Sequence, residues 1–203
     1  MNTFAYADDE KDFITEAHNS ATQWARDLLA KNKNDWVILD TETTGLDSTD
    51  EIIQISIING AGEPLISNQL ISPSCPISAG ARAVHGISIE MLDGAPSFVD
   101  VMPDIQGALY GKTLVIYNAS YDLRMITQSL VGSGCNIIYP ELISRLGFED
   151  VGCAMEQYAA WVGEWNDYRG SFKWQRLPAG DHSSLGDCLS TLALIRKMAE
   201  VKS

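Results

Sequence analysis

Basic residues are scarce in this chain: 14 lysines and arginines stand against 27 aspartates and glutamates, a formal net charge of -13. That balance argues against a protein that coats long nucleic acid by releasing its counterions. It leaves room for one that grips a strand end through bound cations, which supply positive field locally. Cysteines are few, and Cys75, Cys135, Cys153 and Cys188 show no paired spacing. The pattern excludes a zinc ribbon or a disulfide framework and suggests lone buried thiols. No apolar run approaches the length of a membrane span, and Met1 to Glu16 lacks the basic-then-apolar order of a secretory signal. A cytoplasmic protein without membrane contact is expected. There is no internal repeat or low-complexity tract, and 203 residues at 45% hydrophobic and 20% charged suit one globular domain with a sizeable core.

The most informative stretch is Trp36-Val37-Ile38-Leu39-Asp40-Thr41-Glu42-Thr43-Thr44-Gly45. An apolar strand ends in two carboxylates one residue apart, and side chains at i and i+2 of a strand share a face. Asp40 and Glu42 therefore converge, repel each other unless a cation lies between them, and offer the all-oxygen ligation that suits Mg²⁺ or Mn²⁺. Such pairs also occur on solvated loops. Asp40, Glu42, Thr44, Gly45 and Glu51 additionally fall at positions 1, 3, 5, 6 and 12 of a calcium EF-hand loop. An EF-hand needs flanking helices, whereas Val37-Ile38-Leu39 and the β-branched run Ile52–Ile58 read as strands, so the turn reads as a hairpin.

Phe13, Ala17, Ala21, Trp24 and Leu28 recur at helical spacing and predict an amphipathic helix over about residues 12 to 32. Strands are expected at Trp36–Asp40, Glu51–Asn59 and Pro64–Ile71, a three-stranded antiparallel meander. After a Pro/Gly/Ser-rich loop, Ser97-x-x-Asp100 resembles a capping box for a helix that Gly111 stops. Leu114–Tyr117 reads as a short buried strand and residues 121 to 130 as a helix. Strand-helix alternation from there adds parallel strands to the meander, an α/β mixed sheet. A final amphipathic helix carries Leu185, Cys188, Leu189, Leu192, Ile195 and Ala199.

Two further acidic motifs stand at strand-to-helix or loop-to-helix boundaries. In Asn118-Ala119-Ser120-Tyr121-Asp122 the aspartate is either a first-turn acid facing the helix dipole or a site residue at the end of the sheet where α/β proteins place their chemistry. If the Leu114 strand lies parallel to the Val37 strand, Asp122 emerges beside Asp40 and Glu42. In His182-Ser183-Ser184-Leu185-Gly186-Asp187, five residues at about 100° each separate His182 and Asp187 by roughly 140°, so His182 belongs in the loop before the helix. Asp187 is alternatively the carboxylate of a Ser184-x-x-Asp187 capping box, and His182 an exposed loop imidazole. Between them, Tyr168-Arg169-Gly170-Ser171-Phe172-Lys173-Trp174-Gln175-Arg176 interleaves bases with aromatics, a composition suited either to gripping a nucleic-acid strand or to a packed tryptophan hairpin.

Asp40-x-Glu42 with Thr43-Thr44-Gly45-Leu46, then Asn118-Ala-Ser-Tyr-Asp122, then His182-x4-Asp187, in that order, resembles the DEDDh (DnaQ-like) 3′→5′ exonucleases, which include the proofreading subunit of bacterial replicative polymerases. The resemblance covers about residues 35 to 200. It implies a ribonuclease H-like mixed five-stranded sheet flanked by helices, with residues 35–203 as the exonuclease domain and residues 1–34 as an added N-terminal helical extension. It also implies a two-metal site of two Mg²⁺ or Mn²⁺ ions, in which Asp40 bridges, Glu42 and Asp187 hold one ion and Asp122 serves the other. His182 matches the general base, and an imidazole titrating near about 6.5 is suited to that task.

Substrate contacts follow by the same resemblance. Thr43, Thr44 and Leu46 match the turn lining the 3′-terminal base, His85 in Val84-His85-Gly86-Ile87 matches a residue touching the terminal nucleotide, and Asn118 and Tyr121 match positions beside it. His85 alternatively orders a glycine loop, and Tyr121 alternatively belongs to the core. Ser184 departs from the family, which often has alanine there. The expected activity is metal-dependent release of nucleoside 5′-monophosphates from single-stranded or frayed 3′ ends, DNA before RNA, with a polymerase or other nucleic-acid-processing protein as a possible partner. The competing class is a catalytically inactive accessory subunit that keeps the fold.

Overall fold

The computed structural model describes residues 3–135 and 139–200, so residues 1–2 of the expected extension, and 136–138 and 201–203 of the expected domain, lie outside the described residues. The first helix, α1 (Thr3–Ala30), starts nearer the N-terminus than the apolar spacing suggested and ends two residues sooner. Its apolar stripe, Ala21, Ala25 and Leu28, is buried, and the helix is continuous into the polar residues before that stripe. Strands β1 (Trp36–Thr43), β2 (Ile52–Asn59) and β3 (Pro64–Leu70) form the antiparallel meander. With strands on both sides of the acidic turn, the EF-hand reading is excluded. Glu51 instead braces the chain, its carboxylate accepting from the Ser74 N–H at 2.8 Å and from the Ser74 hydroxyl.

The segment after β3, read as plain loop, holds a two-turn helix α2 (Ala79–His85) and a 3-10 turn at Ile89–Leu92. Ser78 caps α2, its hydroxyl accepting from Ala81 N–H at 3.1 Å, and Gly86 ends it in the left-handed conformation. Helix α3 (Phe98–Leu109) starts where the Ser97/Asp100 pair predicts, with Ser97 N–H donating to the Asp100 carboxylate at 3.0 Å. Next come β4 (Thr113–Ile116), α4 (Ala119–Gly132), α5 (Tyr139–Leu146), β5 (Asp150–Cys153), α6 (Ala154–Val162), a hairpin of β6 (Trp165–Asn166) and β7 (Ser171–Phe172), and α7 (Ser184–Ala199).

The sheet order is β3-β2-β1-β4-β5, with β4 and β5 added parallel to β1 and to each other. This is the ribonuclease H-like arrangement expected from the motifs. Strand β1 lies at its centre and is buried on both faces, which alternation makes explicit. Val37 and Leu39 pack with Ile55, Leu114, Ile116 and the α3 and α4 residues Phe98, Ile105, Met125 and Ile126. Trp36 and Ile38 face the other way, onto Ala21, Ala25 and Leu28 of α1 and Cys188, Leu192, Ile195 and Met198 of α7. All four cysteines are free thiols; Cys188 is buried and the other three are half-buried. Among the described residues no helix is long and apolar enough to cross a membrane.

Candidate active site

The alternation of β1 decides where its acids go. Asp40 and Glu42 continue the Trp36/Ile38 face, so they turn toward α7, whose first turn carries Asp187. One oxygen or equivalent donor atom from each of Asp40, Glu42 and Asp187 lies within 4.8 Å of the others. Thr41 points to the opposite face, toward α4, and its hydroxyl donates to Asp122 Oδ1 at 2.7 Å. Asp122 thus reaches the cluster from the α4 side, buried, and its charge is felt by both Asp40 and Glu42. The Leu39↔Ile116 pairing of β1 with β4 brings it to that end of the sheet.

Among the described residues no lysine or arginine pairs with these carboxylates. The ion pairs among the described residues, Lys33–Glu63, Arg145–Glu141 and Lys173–Glu164, all lie elsewhere. Burial first, then the fields of Asp122, Asp187 and Glu42, pushes the Asp40 carboxyl far above the usual carboxylate range. Burial and the Asp187, Asp122 and Asp181 charges raise Glu42 to about 8. Burial raises Asp122 to about 7 against the opposing hydrogen bond from Thr41, and burial raises Asp187 as well. A crowded, oxygen-only, uncompensated set of this kind fits hard divalent cations, whose charge removes the repulsion. Asp40, Glu42 and Asp187 could share one ion, with Asp122 available to a second.

The first turn of α7 is fixed by more than its own cap. Ser183, not Ser184, is the N-cap, its hydroxyl accepting from Gly186 N–H at 3.1 Å, so Asp187 is free of the capping role that the Ser184-x-x-Asp187 spacing allowed. Ser184 is fully buried. Its N–H and hydroxyl both donate to Gln54 Oε1 of β2, at 3.0 and 3.2 Å, and Leu185 N–H donates to Asn68 Oδ1 of β3 at 3.1 Å. Asn68 holds this position in the left-handed region, φ 45°, which asparagine tolerates better than most residues. Two otherwise unpartnered helix N–H groups are thereby satisfied by neighbouring strands. Asp187 Oδ1 accepts from Asp181 N–H at 3.0 Å, and a Cβ on Gly180 would stand 2.9 Å from that same oxygen, so a side chain there would press on the carboxylate.

His182 lies in the loop before α7 as its spacing required. It is exposed, has φ 60°, and is close enough to Asp187, Asp181 and His85 to act on them electrostatically. A cleft of about 570 Å³ opens beside the acids, lined by Thr41, Glu42, Thr43, Gly45, Leu46, Val84, His85, Asn118 and Tyr121 among others. Leu46 and Val84 stand on its rim as exposed apolar side chains, 77% and 54% accessible. His85 is pinned: Nδ1 accepts from Ile87 N–H at 3.0 Å, which leaves Nε2 to donate to the Thr43 carbonyl at 3.2 Å. Burial lowers its proton affinity, so it is a neutral wall of the cleft. The Tyr121 hydroxyl meets Thr43 Oγ1 at 2.7 Å and the Gly45 carbonyl at 3.1 Å, tying α4 to the acidic turn. Asn118 sits at the start of α4, where its side chain caps no helix N–H and its Oδ1 accepts from the Ser120 hydroxyl at 3.2 Å.

Thr44 is placed differently from its neighbours. It is fully buried outside the cleft lining, its hydroxyl donating to Asp50 Oδ1 at 2.7 Å and accepting from Glu51 N–H at 2.9 Å. Gly45 belongs to the same turn, where a Cβ would meet the Asp50 carboxylate at 2.5 Å. Sequence reasoning did not pick out Thr41, Gln54, Asn68 or Asp181. Of these only Thr41 carried a usable signal, because a polar residue between two acids on a doubly buried strand needs a partner on the other face.

A central strand bearing paired acids, joined there by a carboxylate from each of two flanking helices, defines a nuclease-type member of the ribonuclease H-like fold. The exonuclease family (RNase_T) matches residues 37–195, and the chain belongs to that family. It is 34% identical over 184 residues to an uncharacterized exonuclease, CP81, of Escherichia phage 186, covering 83% of this chain and 90% of that one. It is 32% identical over 127 residues to the DNA polymerase III subunit epsilon of Buchnera aphidicola, 54% of each chain, and 39% identical over 119 residues to an epsilon-like protein of Rhodobacter capsulatus, of which it spans 17%. Among solved structures it is similar to exonuclease X in complex with 5′ overhanging duplex DNA, at 26% identity and a TM-score of 0.52 over 80% of this chain and 90% of that one. The E. coli exonuclease I fold also superposes, with a TM-score of 0.60 at 14% identity over 80% of this chain and 40% of that one.

Proposed function

We propose that the protein is a 3′→5′ exonuclease that uses two Mg²⁺ or Mn²⁺ ions to release nucleoside 5′-monophosphates from single-stranded or frayed 3′ ends, with DNA as first substrate and RNA second. The observation that carries this is the meeting of Asp40, Glu42 and Asp187 at one point, with Asp122 alongside, at the mouth of a cleft large enough for a nucleotide.

In this reading Asp40, Glu42, Asp187 and Asp122 hold the cations. When bound, the ions supply charge that stabilises the attacking and leaving oxygens of an in-line displacement. His182, beside Asp187 on an exposed loop, takes the proton of the attacking water. Water adds to phosphorus, the bond to the 3′ oxygen breaks, and that oxygen leaves with a proton to become the new terminus. The terminal nucleoside lies in the cleft between the Leu46 and Val84 rims, with His85, Asn118, Thr43 and Tyr121 shaping the wall and Thr44 holding the turn from behind. Residues 35–203 form the catalytic domain and residues 1–34 its extension. A cytoplasmic enzyme with a polymerase or other nucleic-acid-processing partner accords with the epsilon-type relatives.

The test is an oligonucleotide ladder with the label at the 5′ or the 3′ end, in DNA and RNA, with Mg²⁺, Mn²⁺ or EDTA. The reading expects stepwise shortening of the 5′-labelled strand, immediate release of label from the 3′-labelled strand, and no reaction in EDTA. Shortening from the 5′ end, or activity unaffected by EDTA, would overturn it.

A further inference from the structure

The segment Tyr168–Gly180 contains Arg169, Lys173 and Arg176 and no acid, although acids outnumber bases almost two to one in the chain; Asp167 and Asp181 bound it, and Lys173 makes an exposed pair with Glu164 at 3.7 Å, weak enough for a phosphate to displace. Among the described residues it carries two of the three aromatic side chains that are more than half exposed, Tyr110 being the third. Tyr168 is 97% accessible and Trp174 69%. Neither ring is needed for packing, because the hairpin of β6 and β7 is held by three other rings. Trp165 meets Phe172 edge-on at 5.1 Å, and Phe13 of α1 stacks on Phe172 at 5.7 Å and meets Trp165 edge-on at 5.3 Å. The tryptophan hairpin and the base-aromatic surface anticipated as alternatives therefore coexist: one set of rings builds the hairpin, and another is left on its outside.

This surface is tied to the acidic cluster at both ends of its downstream stretch. The Gln175 carbonyl accepts from the Tyr117 hydroxyl at 2.8 Å, and Tyr117 directly precedes Asn118 of the cleft wall. Leu177 is anchored against the α1/α7 core. Asp181 N–H then bonds the Asp187 carboxylate at 3.0 Å. Asp181 follows Trp174 by seven positions, a reach of at most about 25 Å. Exposed rings with interleaved cations are the composition that tracks a flexible polyanion whose bases are free to stack. A protein partner would call instead for contiguous apolar surface, which the three cations interrupt.

We propose that Tyr168, Trp174, Arg169, Lys173 and Arg176 form an upstream subsite that grips the single strand several nucleotides before its 3′ end, the two rings stacking on bases and the cations pairing with phosphates. The proposal rests on the exonuclease reading for its substrate and adds a role for the N-terminal helix, whose Phe13 braces the hairpin. It makes oligonucleotide length the variable that reveals the subsite, since a substrate ending within the cleft never reaches it.

The experiment compares wild type, Tyr168→Ala/Trp174→Ala and Arg169→Ala/Lys173→Ala/Arg176→Ala on two substrates, a single-stranded dT20 and the p-nitrophenyl ester of thymidine 5′-monophosphate. In parallel, anisotropy of 5′-labelled dT20 in Ca²⁺ reads affinity without requiring turnover. Loss of both rings is expected to weaken dT20 binding about a hundredfold, about tenfold for each, seen in KM and not in kcat. The triple variant is expected to lower the slope of log affinity against log salt by about 2. Hydrolysis of the small ester stays at the wild-type rate in both variants. Unchanged dT20 affinity and KM in both variants would overturn the subsite. A wild type inert toward both substrates would count against the nuclease reading instead, and the anisotropy would still decide whether the strand binds here.

Discussion

Removing divalent cations should make the folded protein unusually sensitive to mild alkali, and the structure sets the size of the effect. Glu42 binds its proton up to about pH 8 in the folded protein, against an ordinary value of 4.5, and Asp122 up to about 7 against 3.8. The folded state therefore holds more protons than the unfolded chain across this interval, so stability is intact at low pH and falls as pH rises through the folded-state values. Ordinary carboxylates are fully ionised by about pH 6, which makes the interval from pH 6 to pH 8 specific to the cluster. At about 1.4 kcal/mol per pH unit for one group, and with the acids sharing one field so that their effects do not add in full, the loss over that interval is about 3 kcal/mol. For a chain of this size that lowers Tm by about 10 °C. The assay is thermal unfolding in EDTA and in excess Mg²⁺ at pH 6, 7 and 8. Mg²⁺ should stabilise far more at pH 8 than at pH 6, and Glu42→Gln, which keeps the shape and removes the charge, should flatten the EDTA curve. A metal-free Tm that stays level from pH 6 to pH 8, or a Mg²⁺ increment equal at both ends, would refute the reasoning.

His182→Ala should lower turnover by roughly 10² to 10⁴-fold while calorimetric Mn²⁺ binding stays near wild type, because the imidazole serves the proton and not the ion; loss of Mn²⁺ binding would reassign it. Gln54→Leu removes the acceptor for the buried Ser184 N–H and should cost about 1 to 3 kcal/mol in denaturant unfolding. It should also raise the Mn²⁺ concentration needed for half-maximal rate, since Asp187 rides on that turn; an unchanged metal requirement would confine Gln54 to stability. Thr41→Val deletes the hydrogen bond that favours ionised Asp122, so the acid limb of the pH–rate profile should move to higher pH, and a profile that stays in place would show that Asp122 does not control it.

The parts of this protein legible from its residues are those governed by short-range rules. Period-two alternation aimed Asp40 and Glu42 together, and the Ser97/Asp100 pair marked the start of α3. The strand-to-helix boundary at Asn118 put Asp122 at the right end of the sheet, given the parallel pairing of β1 with β4. What escaped depends on long-range geometry. Gln54 and Asn68 look like ordinary strand residues until α7 is seen to start against them, and nothing local foretells that Asn68 adopts a positive φ. Helix α2 was hidden in a segment whose glycines and prolines mask two helical turns, although Ser78 and Gly86 are conventional start and stop signals. Thr44 shares a motif with cleft residues yet turns inward to Asp50, a choice fixed by the fold of the turn and not by its composition.

The most direct measurement is release of nucleoside 5′-monophosphate from a single-stranded oligonucleotide by wild type and by Asp40→Ala, each purified to the same folded state and assayed across a Mg²⁺ titration. Mg²⁺-dependent release by wild type that falls by several powers of ten in Asp40→Ala, without recovery at high Mg²⁺, is the expected result. An Asp40→Ala protein as active as wild type would contradict the account, because the carboxylate at the centre of the cluster would then take no part in the chemistry.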